Sequence, residues 1–309
     1  MKTQKKEKNG LYHGIVAALT IPTDADGNII KDALKANVDW LVDKRISGFM
    51  VLGSTGEFLR FDYPHRQKVV EAVAEANNGR VKLIANCTAS NIKETIELAN
   101  LAKKNKYTGI SLMPQFFYPQ TQADMLEYFL RCDEKYDLPT LLYNFPERTG
   151  TRIGIDVVRS FAASGNMFAM KQSGSEYYYH FDLIEAAREF DFSLFSGFDT
   201  RLADVFRIGA AGCIGGLVNI VPEYMYRIYA SIKLGVQDDV KTLTERIAFV
   251  GKVIDNATFP INVQFGMKAR GLETGVPKEF LSKETIKIGE EIVNTLRKKF
   301  EEWGLSTTL

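Results

Sequence analysis

Lys171 is the residue whose position most invites chemistry. It closes the apolar run Met167-Phe168-Ala169-Met170, so its ammonium group is expected at the end of a buried strand, with apolar walls below. Desolvation disfavours the charged form of a lysine, and the neutral amine attacks a ketone. That condensation gives an iminium, an electron sink able to stabilise a carbanion equivalent on the adjacent carbon. Standing alone, the position also fits a lysine that simply reaches solvent at a strand end. Tyr143 alternates with Leu141 along its own apolar run. It could turn a phenol toward the amine, or be a core aromatic with a satisfied hydroxyl. The segment Gly53-Ser54-Thr55-Gly56-Glu57 offers backbone N–H groups and two hydroxyls for a carboxylate, or is just a tight turn. Arg148 could fork onto a second carboxylate, or pair with Glu147 at the surface. Asp199 reads as a helix cap, and Asn219 as a loop residue bonded to backbone.

Other chemistries have less behind them. The three histidines, His13, His65 and His180, show no HxH or HxxxH spacing, and a catalytic zinc needs a clustered ligand set; no metal site is expected. Neither GxGxxG nor GxxxxGK[ST] occurs, which removes the usual sequence support for a dinucleotide or P-loop site. With 39 basic and 38 acidic residues the formal net charge is +1, so there is no electrostatic case for nucleic acid or an anionic membrane as partner. Cys87, Cys132 and Cys213 lie far apart without CxxC spacing. Each reads as a small buried hydrophobe of a reducing compartment. The apolar run from Gly14 to Leu19 is shorter than a signal-peptide core, and far shorter than the roughly 20 residues of a membrane span. The expected location is the cytoplasm.

What would position these groups is an alternation of short apolar runs with longer amphipathic ones. Candidate strands are Ile15–Leu19, Gly48–Leu52, Val81–Cys87, Gly109–Met113, Thr140–Asn144, Met167–Lys171, Phe192–Ser196 and Cys213–Gly216. Helical patterns fall between and after them at Lys31–Lys44, Tyr63–Ala76, Asn91–Asn105, Thr121–Tyr136, Ile155–Ser164, Tyr178–Glu189, Thr200–Ile208 and Pro222–Leu234. In the third of these, Ile92, Ile96 and Ala99 share a face, and Asn91 with Glu94 reads as a capping pair. Eight strand–helix units with buried-looking strands predict an α/β fold, a (β/α)8 TIM barrel. A doubly wound open sheet is the structural rival. The domain reading is a flexible basic N-terminus at 1–11, a barrel at 12–236 and a C-terminal helical extension at 237–309. The extension's helices are expected near Val240–Asn256, Val263–Gly271 and Lys283–Trp303. In a parallel barrel, functional groups gather at the C-terminal strand ends, where all the residues singled out above fall.

Taken together, these segments resemble the dihydrodipicolinate synthase and N-acetylneuraminate lyase family. The likeness runs from about Tyr12 to Pro222 and, less specifically, through the C-terminal helices. It rests on Gly53-Ser54-Thr55-Gly56-Glu57, on Tyr143 through Gly150 (a YNxPxRTG segment), on Lys171 in Ala169-Met170-Lys171-Gln172, and on Ser196–Asp199 with the glycine-rich eighth strand. The resemblance implies a class I aldolase in which Lys171 forms a Schiff base with pyruvate or with a 2-keto acid being cleaved. It implies that Tyr143 shuttles protons and that Ser54 and Thr55, in the loop begun by Gly53, hold the pyruvate carboxylate, with Ser54 able to join the proton relay. Arg148 matches the synthases' arginine for the second substrate's carboxylate, and Ile214 would pack near the pyruvate. No metal or organic cofactor is called for. The partners implied are pyruvate, a small aldehyde such as aspartate semialdehyde, and further copies of the chain in a dimer or tetramer.

Two departures bear on the substrate. The family usually carries Pro-x-Tyr after the fourth strand, where this chain reads Pro114-Gln115-Phe116-Phe117-Tyr118-Pro119. Phe116 or Phe117 takes the relay position, so a hydroxyl is lost unless a bulge lets Tyr118 substitute. Gly215-Gly216 stands where the synthases usually have Ser-Val and the neuraminate lyases Gly-Ser, and is expected to leave more room beside the lysine. Besides aspartate semialdehyde condensation, an N-acetylneuraminate lyase or a 2-keto-3-deoxy sugar acid aldolase fits. So does a phosphate- or flavin-binding barrel using Gly209–Gly216, and, from another class, a non-catalytic ligand-binding barrel.

Overall fold

The computed structural model describes residues 12–308, so the basic segment 1–11, expected to be flexible, lies outside the described residues. Eight parallel strands close a barrel in chain order, β1 pairing with both β2 and β8. They are Gly14–Ala18 (β1), Gly48–Val51 (β2), Lys82–Asn86 (β3), Gly109–Leu112 (β4), Thr140–Asn144 (β5), Met167–Gln172 (β6), Ser193–Ser196 (β7) and Gly212–Gly215 (β8). The closed order excludes the open doubly wound sheet. Apolar residues occupy both faces of these strands because one face fills the barrel and the other lies under helices. Lys171 and Tyr143, at the ends of β6 and β5, are buried with the rest.

Helices surround the barrel: Lys31–Asp43 (α1), Tyr63–Asn77 (α2), Ile92–Lys104 (α3), Gln122–Asp133 (α4), Pro146–Thr149 (α5), Ile155–Ser164 (α6), Tyr179–Phe190 (α7), Leu202–Ile208 (α8) and Pro222–Leu234 (α9). Asn91 caps α3, its side chain accepting the N–H of Glu94 at 2.9 Å. The expected apolar face of α3 needs correction. Ile92 is 44% exposed, and the buried residues are Thr95, Leu98, Ala99 and Ala102. Spacing alone cannot tell a face pressed on a sheet from a first turn that projects beyond it.

Three further helices follow, Val240–Ile254 (α10), Ile261–Ala269 (α11) and Lys283–Glu302 (α12). α10 lies against α9 and the 3-10 turn Asp199–Arg201, and α11 against the 3-10 turn Leu217–Asn219. Both turns follow strand ends, so the C-terminal helices meet the barrel at its functional rim. None of the described helices is long and apolar enough to cross a membrane.

Candidate active site

One local irregularity decides which side chain of β6 meets β5. The pairing begins Thr140↔Met167, then jumps to Leu141↔Ala169, leaving Phe168 as the extra residue of a bulge. A one-residue shift exchanges the two faces of a strand. Beyond the bulge Tyr143 pairs with Lys171, and both turn to one side. Lys171 Nζ lies 4.2 Å from the centroid of the Tyr143 ring. Lys171 is only 5% exposed, and no ion pair among the described residues includes it.

The Tyr143 hydroxyl is 3.2 Å from Ser54 Oγ, which joins the phenol to the loop after β2. That loop is held from below. Gly56 passes so close to β1 that a Cβ there would lie 2.7 Å from the carbonyl oxygen of Leu19. Glu57, in the left-handed region at φ 56°, is buried. Its Oε1 accepts from Gln264 Nε2 at 2.8 Å and from Lys278 Nζ at 3.1 Å. The loop's glutamate therefore ties the segment that carries Ser54 and Thr55 to α11 and to Lys278 in the connection that follows it.

A cavity of about 250 Å³ opens at this strand end. Thr55, Tyr143, Lys171 and Ile214 line it, together with Asp199 and, from the C-terminal extension, Phe259 before α11 and Asn262 in it. It lies just below the roughly 300–1,000 Å³ of typical ligand pockets. A larger groove of about 1300 Å³ beside α12 contains none of the strand-end residues singled out from the sequence. We place the site by convergence of chemistry rather than by size. Ser54 and Gly53 are not among the lining residues, and Ser54 meets the site through the Tyr143 hydroxyl. Arg148 is exposed at the rim, its guanidinium 5.4 Å from the Phe259 ring and 5.9 Å from that of Phe145. The expected surface pair with Glu147 is not formed; Glu147 instead accepts the N–H and hydroxyl of Ser175.

Asp199 is not the helix cap its position suggested. Its side chain makes no cap bond to its own turn. Oδ2 accepts the N–H of Leu217 at 2.8 Å, and Cys213 Sγ donates to Oδ1 at 3.5 Å. Burial pushes this carboxyl above its usual range, against the pull of the Leu217 N–H and of the Lys171 charge. A Cβ at Gly215 would overlap Asp199 Oδ1. The expected spare room at Gly215 is thus filled by a carboxylate; Gly216 borders the cavity and would admit a methyl group in ordinary contact, its nearest neighbours lying 3.4 Å from a built Cβ. The same packing tells against a phosphate cradle at Gly209–Gly216. Gly212 is pressed on the backbone of Gly14, and an acid sits on Gly215. Gly215→Ala should cost about 1–3 kcal/mol by overpacking. Asp199→Ala in the same chain should recover part of it, read as melting temperatures of the three proteins. An undiminished single variant would refute the close contact.

Asn219 does bond backbone, donating to Ala18 and Gly216 carbonyls at 2.8 and 2.9 Å. Tyr118 is 75% exposed, outside the cavity, and Phe116 packs edge-on against Phe58. Within one chain, no bulge brings the Tyr118 hydroxyl to Tyr143. Among the described residues no three of His, Cys, Asp and Glu converge as a metal-ligand set, and all three cysteines are free and buried.

Sequence reasoning passed over His180. Fully buried, it donates from Nδ1 to the Tyr177 carbonyl, and its Nε2 accepts from Ser196 Oγ, each at 3.1 Å. Ser196 Oγ in turn accepts the Phe198 N–H at 3.1 Å, and Phe198 is in the cavity wall. Burial lowers the imidazole's pKa below its ordinary 6.5. A depressed folded-state pKa means the unfolded chain binds the proton first. The stabilisation is complete above 6.5 and is lost as pH falls toward the folded-state value. The melting temperatures of wild type and His180→Gln should therefore converge as pH drops from about 8 to about 5. A pH-independent gap would contradict a neutral His180.

The profile of the family described as "Dihydrodipicolinate synthetase family" matches residues 11–299. A 4-hydroxy-tetrahydrodipicolinate synthase of Methanosphaerula palustris is 27% identical over 290 residues, 92% of this chain and 99% of its own. Among solved structures, an N-acetylneuraminate lyase from Mycoplasma synoviae superposes with a TM-score of 0.82 at 26% identity, covering 94% of this chain and 99% of its own. A dihydrodipicolinate synthase from Acinetobacter baumannii, complexed with pyruvate, shares the fold with a TM-score of 0.84 at 24% identity, covering 92% and 98%.

Proposed function

The chain belongs to the dihydrodipicolinate synthetase family, a family of carbon–carbon lyases and aldolases, and on that premise we propose that it joins pyruvate to an aldehyde, or cleaves the corresponding 2-keto acid, through a Schiff base on Lys171. The observation that carries this reading is the buried amine, without an ion-pair partner, over the ring of a tyrosine whose hydroxyl meets Ser54. In the synthetic direction the Lys171 nitrogen attacks the ketone carbon of pyruvate and water leaves, giving the iminium. Loss of a methyl proton gives the enamine, which forms the new carbon–carbon bond with the aldehyde. Its carbonyl oxygen becomes a hydroxyl, with Tyr143 as the proton donor and Ser54 next along the path. Water then releases the product and the free amine. Ser54 and Thr55, in the loop begun by Gly53, hold the pyruvate carboxylate, and Ile214 packs beside it. The lysine nitrogen is itself the electron sink, so the reading calls for no metal or organic cofactor.

Arg148, exposed at the rim and without an ion-pair partner among the described residues, supports an acceptor with a carboxylate, aspartate semialdehyde being the candidate. The loss of the relay hydroxyl at Phe116 and Phe117 weighs the other way, and the space at Gly216 supports a 2-keto-3-deoxy sugar acid or a neuraminate-like substrate. Self-association as a dimer or tetramer belongs to the same reading. Phe117 and Tyr118, 87% and 75% exposed and packed edge to face, are the surface assigned to it. An aldehyde panel incubated with pyruvate tests the function. Pyruvate consumption that depends on one of the aldehydes is expected; pyruvate bound without turnover of any of them would support a non-catalytic barrel instead.

A further inference from the structure

The C-terminal extension contributes a polar group to the cavity that no strand-end motif announces. Asn262, in the first turn of α11, lines the cavity and is only 4% exposed. Its Oδ1 is fully buried and, among the described residues, has no hydrogen-bond partner, and its Nδ2 makes no bond there either. Its neighbour Val263 faces Thr55 across Gly216, each with an atom 3.4 Å from a Cβ built on that glycine. The space at Gly216 therefore lies between the lysine's cavity and α11. A buried amide left without partners is a standing cost that a bound ligand removes. We propose that Asn262 is a specificity-determining residue that binds a hydroxyl group of the acceptor aldehyde.

A hydroxyl is the group that suits an amide whichever of its two atoms faces the ligand, accepting from the nitrogen or donating to the oxygen. A carboxylate only accepts and an ammonium only donates. A cavity of about 250 Å³ suits a short hydroxyaldehyde beside pyruvate, in the length range of glyceraldehyde. The proposal rests on Lys171 as the pyruvate-binding amine, and it selects the sugar-acid alternative for the acceptor. A site built to hydrogen-bond a hydroxyl discriminates strongly against an analogue that lacks it.

The test compares glyceraldehyde with propanal, which has the same carbon count and no hydroxyls, as acceptors for pyruvate. Wild type should favour glyceraldehyde in kcat/KM by at least about tenfold. In Asn262→Ala, and in the near-isosteric Asn262→Leu that keeps the core volume, that ratio should fall by about 10- to 100-fold, the effect of removing one buried hydrogen bond. Borohydride fixation of pyruvate on Lys171 is run on all three proteins and shows which of them retain a folded site. A ratio unchanged in a variant that still fixes pyruvate overturns the role of Asn262 and leaves the Schiff-base reading standing, as does a wild type that fixes pyruvate without preferring glyceraldehyde. A wild type that fixes no pyruvate overturns the Schiff-base reading and this proposal with it.

Discussion

Lys171→Met should abolish pyruvate-dependent turnover, by about four orders of magnitude or more, as removal of a covalent nucleophile does elsewhere. The fold should survive. Lys171 is 5% exposed, and its Nζ lies over the Tyr143 ring without an ion-pair partner among the described residues. A methionine of similar length can follow the same path and keep the aromatic contact. Asp199, the buried acid that feels the Lys171 charge, keeps the N–H of Leu217 and has its pKa raised by burial, so it can take up a proton rather than stay as a stranded charge, which is what makes most buried-charge replacements harmful. The melting temperature should therefore stay within a few degrees or rise. Turnover reduced by less than tenfold would mean that the amine is not the nucleophile. Lost turnover accompanied by lost folding would instead show a structural lysine.

Tyr143→Phe should reduce kcat/KM by about 10²- to 10⁴-fold, the range typical of a positioned general acid–base. This substitution isolates the hydroxyl. The ring remains, and with it the contact to Lys171 at 4.2 Å and the stack on Phe145. What goes is the 3.2 Å contact to Ser54 Oγ, hence the proton path. Single-turnover measurements should show both imine formation and the carbon–carbon step slowed. If only the affinity for pyruvate changed, at constant kcat, Tyr143 would be a binding group and the proton path would lie elsewhere.

The barrel was legible because each strand is a short, mostly apolar run and the helices carry a polar face. Several boundaries, including Thr140–Asn144, Ile155–Ser164 and Pro222–Leu234, agree with the sequence reading to the residue. The residues gathered at the strand ends were legible too, since a barrel gives them one place to meet. The bulge at Phe168 was not. Nothing in Met167-Phe168-Ala169-Met170 marks which residue is skipped, yet the skip puts Lys171 rather than Met170 opposite Tyr143. Asp199 was misread because the preference of Asp for helix starts is local, whereas its partner Leu217 lies on another strand's loop. Gly215 looked like spare volume for the same reason: a glycine shows a missing side chain and never what fills its place. Asn262 was invisible because α11 reads as an ordinary packing helix, and only tertiary contact brings its first turn over the cavity.

The central claim is that the nitrogen of Lys171 condenses with a small 2-keto acid. Reducing the protein with borohydride in the presence of pyruvate, then mapping its peptides by mass, tests it directly. The account predicts a stable 1-carboxyethyl adduct on the peptide containing Lys171, absent without pyruvate and absent in Lys171→Met. A Lys171 peptide unmodified after that treatment, in protein that is folded, would contradict it.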